Sequence, residues 1–369
     1  MKAENGEDQR RRVLIFAVRD QKYPRHLLLK EKLLQVPGVE IEVVPINWNV
    51  GQLKRAISLF AEGWRKSRST DAVFVAEFGL QYAPLAWIIS RMRGAQLVVD
   101  HFVGTYETHV LDHRTYTRRS VRGRYFAAVD RVAYRLADIA TIDTELRARL
   151  LTKRFPGRRT RPLALPVGAP KWARSATTVM DRRHDSPLKV LFYGNYLPLH
   201  GVPFVIEALA HLPKTMPFGF ELEIVGSAPG RQAAEDRVAE LGLTEIVTFT
   251  DAQPEDVLIE KIRKSDIVLG VFGDTFKART VVPNKVWQGL YMRKTVLTRR
   301  ADSLAGLMPI VGPQLVQIDP SSPSELTREL LDIVRQKEAP NFPSKVDELD
   351  RYVEAGYRAL FRELGLTTR

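Results

Sequence analysis

The sequence predicts an α/β protein made of two similar domains in tandem, each a parallel sheet with helices on both faces. Three observations predict it. Apolar runs of strand length alternate with stretches of helical periodicity through the first half, as a doubly wound sheet requires. The same alternation resumes after Pro187. With 369 residues the chain is also too long for one ordinary core and suits two.

Taken in chain order, MKAENGEDQRRR is polar and lacks the apolar core of a secretory signal, so residues 1–11 are expected to form a disordered tail. The first domain, 12–170, has strands expected at Val13–Val18, Glu40–Val44, Ala72–Ala76, Gln96–Val99 and Ile139–Ile142, separated by helical patterns such as Arg25–Leu34 and Leu53–Trp64. Phe155–Pro187 is rich in Arg, Pro, Ser and Thr, and 171–187 reads as an interdomain linker. The second domain, 188–345, repeats the scheme with strands at Val190–Tyr193, Glu221–Val225, Ile246–Phe249, Ile267–Val271 and Thr295–Leu297. A final helix, Val346–Leu364, follows the Pro343–Ser344 break and stacks Leu349, Tyr352, Val353, Tyr357, Leu360 and Phe361 on one side; this is the pattern of a packing helix.

Composition narrows the function. There is no cysteine, which excludes disulfides and thiolate chemistry and is compatible with a reducing, cytoplasmic setting. No stretch reaches the roughly 18 uncharged apolar residues of a membrane span. The net charge of +13 is one-sided: Met1–Ser186 carries 34 Lys and Arg against 19 Asp and Glu, the remainder 22 against 24. A basic first half expects an anionic partner, such as a lipid surface, a phosphate-bearing acceptor or nucleic acid. Two of its segments, Arg114–Arg124 and Leu146–Arg161, interleave cations with apolar side chains; they read either as membrane-surface stretches or as solvated helix faces.

The most informative stretch is KVLFYGNYLPLHGVPFVIEAL, Lys189–Leu209. A strand ends at Gly194, and a helix opens at Gly201 after a short loop. Free backbone N–H groups and a helix dipole at such a loop favour phosphate. Lys277 and Lys285 in FKARTVVPNK fall between a strand ending near Val271 and a helix starting near Lys285, where doubly wound sheets bind ligands. Asn284 is expected to cap that helix or contact phosphate. Without an anion nearby, Lys285 reads as a solvated first-turn lysine opposing the dipole.

These motifs resemble those of retaining family-four glycosyltransferases, which adopt the GT-B fold of two Rossmann-like domains facing a cleft. VLFYGNYLPLHGV stands where that family carries a Gly-Arg-x4-Lys-Gly loop, LEIVGSAPG matches its next strand and turn, and SDIVLGVFGDTFKARTVVPNKVWQGLYMRKTVLT its donor segment. In the first half, VVDHFVGTYETHVLDHR, DRVAYRLADIATIDTEL and PLALPVGAP look like its acceptor-side segments. The resemblance implies transfer of a sugar from a nucleotide-sugar, a UDP-sugar or GDP-sugar first, to a glycan, glycolipid or polysaccharide precursor, with the last helix crossing back to the first domain. It implies donor contacts at Gly194, Asn195, His200, Gly201, Gly226, Lys277, Asn284, Lys285 and Gln288.

The chain departs from the family where Asn195 and His200 replace the loop's Arg and Lys. Gln288 replaces the ribose-binding Glu, and Thr280 the earlier Glu of the same motif. An amide still bonds a ribose hydroxyl, while the diphosphate's missing cation has to come from elsewhere; Lys277 and Lys285 are the best replacements, and His200 reads either as a phosphate donor or as a structural loop histidine. On the acceptor side the resemblance points to Asp100 or His101 against the transferred sugar; Asp100 also reads as the cap of a turn.

Retaining transfer of this kind rests on positioning and leaving-group stabilisation, with no cofactor or metal expected. His109 and His113 lack the Glu of the zinc-protease pattern and read as a polar helix face. A nucleotide-sugar 2-epimerase of the same fold, an inactive relative and a nucleic-acid-binding protein are the alternatives; no nucleic-acid-binding motif occurs.

Overall fold

Strands buried on both faces must be apolar along their whole length, and this makes the short apolar runs of the chain into parallel sheets. The computed structural model describes residues 10–157, 162–175, 186–213, 219–335 and 342–366. Most of the expected tail and linker, and the end of the second basic segment, lie outside the described residues. The chain divides into two compact units, Met1–Val167 with Tyr352–Arg369, and Gly168–Arg351.

Unit 1 runs β1 (Arg11–Val18), α1 (Pro24–Leu34), β2 (Val39–Pro45), α2 (Gln52–Lys66), β3 (Ala72–Val75), α3 (Ala83–Arg93), β4 (Gln96–Asp100), α4 (Val121–Leu136), β5 (Ile139–Ile142), α5 (Glu145–Arg154) and β6 (Leu163–Ala164). Its strands form one sheet in the order β2-β1-β3-β4-β5-β6, every pair parallel. Right-handed crossovers place α2, α3 and α4 on the same face. There Leu59, Ala86, Ile89 and Ala133 pack over Phe16, Val73, Val75 and Val99.

Unit 2 runs α6 (Lys171–Arg174), β7 (Leu188–Tyr193), α7 (Val202–Leu209), β8 (Phe220–Val225), α8 (Arg231–Glu240), β9 (Val247–Thr250), α9 (Glu255–Lys264), β10 (Ile267–Leu269), α10 (Phe276–Thr280), α11 (Asn284–Tyr291), β11 (Thr295–Arg299), α12 (Met308–Val311), β12 (Leu315–Ile318) and α13 (Pro323–Arg335). Its six parallel strands lie in the order β12-β11-β10-β7-β8-β9. Chain direction across the sheet reverses between β7 and β10, and such reversal points are where doubly wound sheets hold ligands.

The last helix, α14 (Val346–Glu363), begins in unit 2 and from Tyr352 onward belongs to unit 1. There Lys32 bonds Glu354 at 3.0 Å, and Gly356 lies so close to the Ala164 carbonyl that a Cβ would sit 2.4 Å from its oxygen. The expected α/β class, with two sheet-based units and a last helix that crosses back, is the observed one. Two edge strands, β6 and β12, were not expected from the sequence.

Candidate functional site

The reversal point of unit 2 brings two loops together. Gly194 leaves β7 with φ 139° and donates its N–H to Val225 O at 2.9 Å. Gly201 opens α7 with φ 67°, in the left-handed region that favours glycine. A Cβ there would lie 2.4 Å from the backbone of Phe272 and Gly273. The N–H groups of Phe272 and Gly273 donate to His200 O and Leu199 O, each at 3.0 Å. Residues 194–201 are thus clasped to the segment that follows β10. Gly226, at the end of β8, has room for no side chain, because a Cβ would sit 2.0 Å from Gly194 O.

Lys285 lies in the first turn of α11 and turns inward. Its residue is 5 % exposed, and its Nζ has no hydrogen-bond partner among the described residues. The ammonium sits 3.9 Å from the centre of the Phe192 ring and 3.3 Å from where a Gly194 Cβ would stand. Burial pulls its pKa from 10.5 to about 7. A solvated surface lysine, the alternative reading of the sequence, is not what is found.

His200 Nδ1 contacts Asn195 O; a ring nitrogen facing a carbonyl oxygen must carry the proton, which leaves Nε2 as the acceptor of a neutral ring. Burial first, and then the charge of Lys285, push its pKa down to about 3. With its ring neutral, His200 is therefore no substitute for the family's lysine, and the buried cation is Lys285. Lys277, on α10, is half-buried and its charge also acts on His200.

Gln288 is buried one helical turn beyond Lys285, and its Oε1 accepts from Tyr193 OH at 2.6 Å, which leaves its amide nitrogen as the group for a ligand. Asn195 is exposed and contributes its carbonyl to His200. Asn284 does not cap α11. Pro283 occupies the cap position, with φ −65° and ψ 150°, and Asn284 is the first helical residue. The rigid proline sets the entry into the helix, so the cap falls one residue earlier than expected.

Arg299, at the end of β11, was not anticipated. It is buried, its Nη1 donates to Gly273 O, and it stands 3.5 Å from Asp274, so it braces the loop after β10. A double arginine closing an apolar strand was the only hint in the sequence.

In unit 1, Asp100 and His101 end β4. Both Asp100 oxygens are engaged: Arg25 Nε and Nη2 donate at 2.5 and 2.8 Å, Thr141 Oγ1 at 3.0 Å and Phe102 N at 3.3 Å. Arg25 also donates to Leu165 O, at 2.7 Å, and so ties the strand ends together. These bonds account for Asp100 as a structural anchor, beyond the turn cap that the sequence allowed. His101 is buried edge-on against Tyr134, 5.5 Å between ring centres.

Sequence reasoning missed Glu77, just beyond β3. It is buried, its Oε1 has no hydrogen-bond partner among the described residues, and burial together with the charge of Asp100 raises its pKa to about 7. His109 and His113 fall in and just after a π-helical turn, Glu107–Asp112, and His109 stacks on Phe126 at 4.5 Å. The face expected to be polar is thus partly an aromatic stack. Among the described residues no group of three or more His, Asp or Glu side chains is placed to hold a metal ion.

Comparison with known proteins follows the same lines. Residues 181–270 match the family model of glycosyl transferases group 1. No curated protein sequence matches significantly. Among solved structures, the chain is similar to Alr3699/HepE of Anabaena, solved with UDP-glucose, at 15 % identity and a TM-score of 0.66 over 96 % of this chain and 100 % of that one. It is similar to sucrose-phosphate synthase of Thermosynechococcus elongatus, at 13 % identity and a TM-score of 0.71 over 97 % and 100 %. It is also similar to WaaG, a glycosyltransferase involved in lipopolysaccharide biosynthesis, at 16 % identity and a TM-score of 0.62 over 95 % and 98 %. With the glycine-bounded loop, the strand-order reversal and the inward lysine in place, the chain carries a glycosyl transferases group 1 match in its second unit on the two-domain GT-B fold.

Proposed function

We propose that the chain is a glycosyltransferase that moves a sugar from a UDP-sugar or GDP-sugar to a glycan, glycolipid or polysaccharide precursor in the cytoplasm, with retention and without a metal. One observation carries this reading: Lys285 holds an ammonium in a buried position with no hydrogen-bond or ion-pair partner among the described residues, beside a glycine-bounded loop and the first turn of α7. An unpaired buried cation is costly unless an anion completes it. A nucleoside diphosphate supplies that anion, and Alr3699/HepE, solved with UDP and with UDP-glucose, has the same fold.

In this reading the first-turn N–H groups of α7 and the ammonium of Lys285 hold the diphosphate, and they take up the charge that grows on its β-phosphate as the glycosidic bond breaks. The amide nitrogen of Gln288 donates to a ribose hydroxyl. Lys277 adds long-range attraction, and Asn284 offers its backbone N–H at the start of α11. On the acceptor side, His101 orients a sugar hydroxyl and Asp100 fixes the end of β4 through Arg25.

A thermal-shift panel of UDP, GDP, TDP and ADP with their common sugars, with and without magnesium, tests the proposal. The expected outcome is a magnesium-independent rise with one nucleotide that disappears in Lys285→Ala. No rise with any nucleotide would sink the reading, and an unchanged rise in the variant would sink the site. Sugar turnover without an acceptor would point to an epimerase instead.

A further inference from the structure

Exposed apolar side chains are unevenly distributed over this protein. Of twelve large hydrophobic side chains exposed among the described residues, eight lie on α2, α3 and α4. These helices cover one face of the unit 1 sheet, with α3 in the middle. On α4 the exposed apolar positions are Val121, Tyr125 and Val132, the first of them 85 % exposed, and they share one side of the helix. On α2 they are Leu53, 76 % exposed, and Ile57, one turn on. On α3 they are Trp87, Ile88 and Met92. An amphipathic helix in a soluble domain turns such a stripe inward; here each helix has a second stripe turned outward.

The polar residues around these stripes are nearly all of one sign. The three helices hold ten Lys and Arg against two Asp and Glu, Glu62 and Asp130. Asp130 is buried, where it accepts from Thr105 and Tyr106. Glu62 is taken by Lys66, and Arg91 by Asp138. On α4, Arg124, Arg131 and Arg135 are exposed and make no ion pair with any described residue. Between the first turns of α2 and α4 the surface dips into a groove of about 480 Å3 lined by Trp48, Arg55, Tyr82, Thr105, Tyr125 and Phe126.

We propose that the α2–α3–α4 face of unit 1 docks on an anionic phospholipid bilayer. The outward stripes enter the boundary between headgroups and acyl chains, the arginines meet the lipid phosphates, and Trp48 and Tyr125 sit at the interfacial level where amphipathic rings are favoured. The groove receives a headgroup and the upper part of its chains. Charge complementarity selects this occupant. A second copy of the chain would bring the same cations into apposition, and a neutral apolar partner would leave them unanswered. No helix of the described residues is long and apolar enough to cross a membrane, so the attachment is peripheral. The proposal goes beyond the transferase reading and does not rest on it.

Co-sedimentation of the full chain with two kinds of vesicle tests it: phosphatidylcholine alone, and phosphatidylcholine mixed with phosphatidylglycerol. The wild type should sediment with the mixed vesicles only, and added salt should release it. Two variants are compared, Leu53→Ser with Val121→Ser and Tyr125→Ser, and Arg124→Gln with Arg131→Gln and Arg135→Gln. Each surface cation removed should weaken partition several-fold, on the order of 100-fold for the three arginines together. Both variants should keep the wild-type melting temperature and nucleotide response.

Equal binding to neutral vesicles, no binding to either kind, or undiminished binding by the arginine variant would each overturn the proposal. So would a wild-type dimer in size-exclusion chromatography that the apolar variant turns into a monomer, since a second copy would then cover the face. Loss of nucleotide response with vesicle binding retained would instead count against the transferase reading alone.

Discussion

Lys285 links the chemistry of the site to its protonation. Its folded pKa of about 7 lies below the 10.5 of an unfolded chain. Between those values the unfolded chain holds a proton that the folded chain has lost, so this group makes stability rise with pH from about 7 to about 10.5. An arriving diphosphate reverses the balance by favouring the charged ammonium. Nucleotide binding somewhat above neutral pH is therefore expected to take up a proton, seen as a binding heat that changes with the ionisation enthalpy of the buffer. Lys285→Met should abolish that dependence and also make the ligand-free protein more stable, because it removes an unpaired buried charge. Glu77 works in the opposite sense. Its folded pKa of about 7 stands above the ordinary 4.5, so its contribution falls as pH rises through that window. Glu77→Gln should raise the denaturant midpoint above neutrality and leave it nearly unchanged below about pH 4.

Among the elements, the glycine-bounded loops are the least tolerant of change. Gly226→Ala would press a methyl group against Gly194 O, where neither backbone can yield cheaply. The expected cost is roughly 2–3 kcal/mol with a weakened nucleotide response, against less than about 0.5 kcal/mol for Gly51→Ala, which meets open space. Denaturant melts of the two variants check the contrast.

The same loops show what the sequence could reveal. Gly194 and Gly201 bracket a strand-to-helix turn, and their conformational demand can be read from residue type alone. The central strands were legible because two-sided burial makes them apolar throughout. The edge strand β6, Leu163–Ala164, has two residues, and β12 carries Gln317 on a half-exposed edge, so neither left a periodic signal. Glu77 and Arg25 were illegible for another reason: a lone charged residue in the sequence does not say that tertiary packing will bury it, or which partner it will meet.

At the scale of the molecule, the last helix is a condition of unit 1's stability. From Tyr352 on it contributes Val353, Tyr357, Leu360 and Phe361 as buried side chains, and the turn that follows it adds Leu364 and Leu366. At about 1.5–3 kcal/mol each, their loss is on the order of 10 kcal/mol, comparable with the whole stability of a domain. Truncation after Arg351 is therefore expected to leave unit 2 resistant to limited proteolysis while unit 1 is digested. Survival of a unit 1 fragment would show that the helix only decorates it.

The split of unit 1 across the sequence also sets an order of assembly. Gly168–Arg351 is contiguous and emerges from the ribosome with all its strands, whereas unit 1 lacks part of its apolar packing until Tyr352–Arg369 have been made. The unit synthesised second is thus the first able to finish folding, and the earlier one must wait with the apolar surface that this stretch covers still open during translation of the rest. A chaperone that shields nascent apolar surface should be most needed by this protein in that interval.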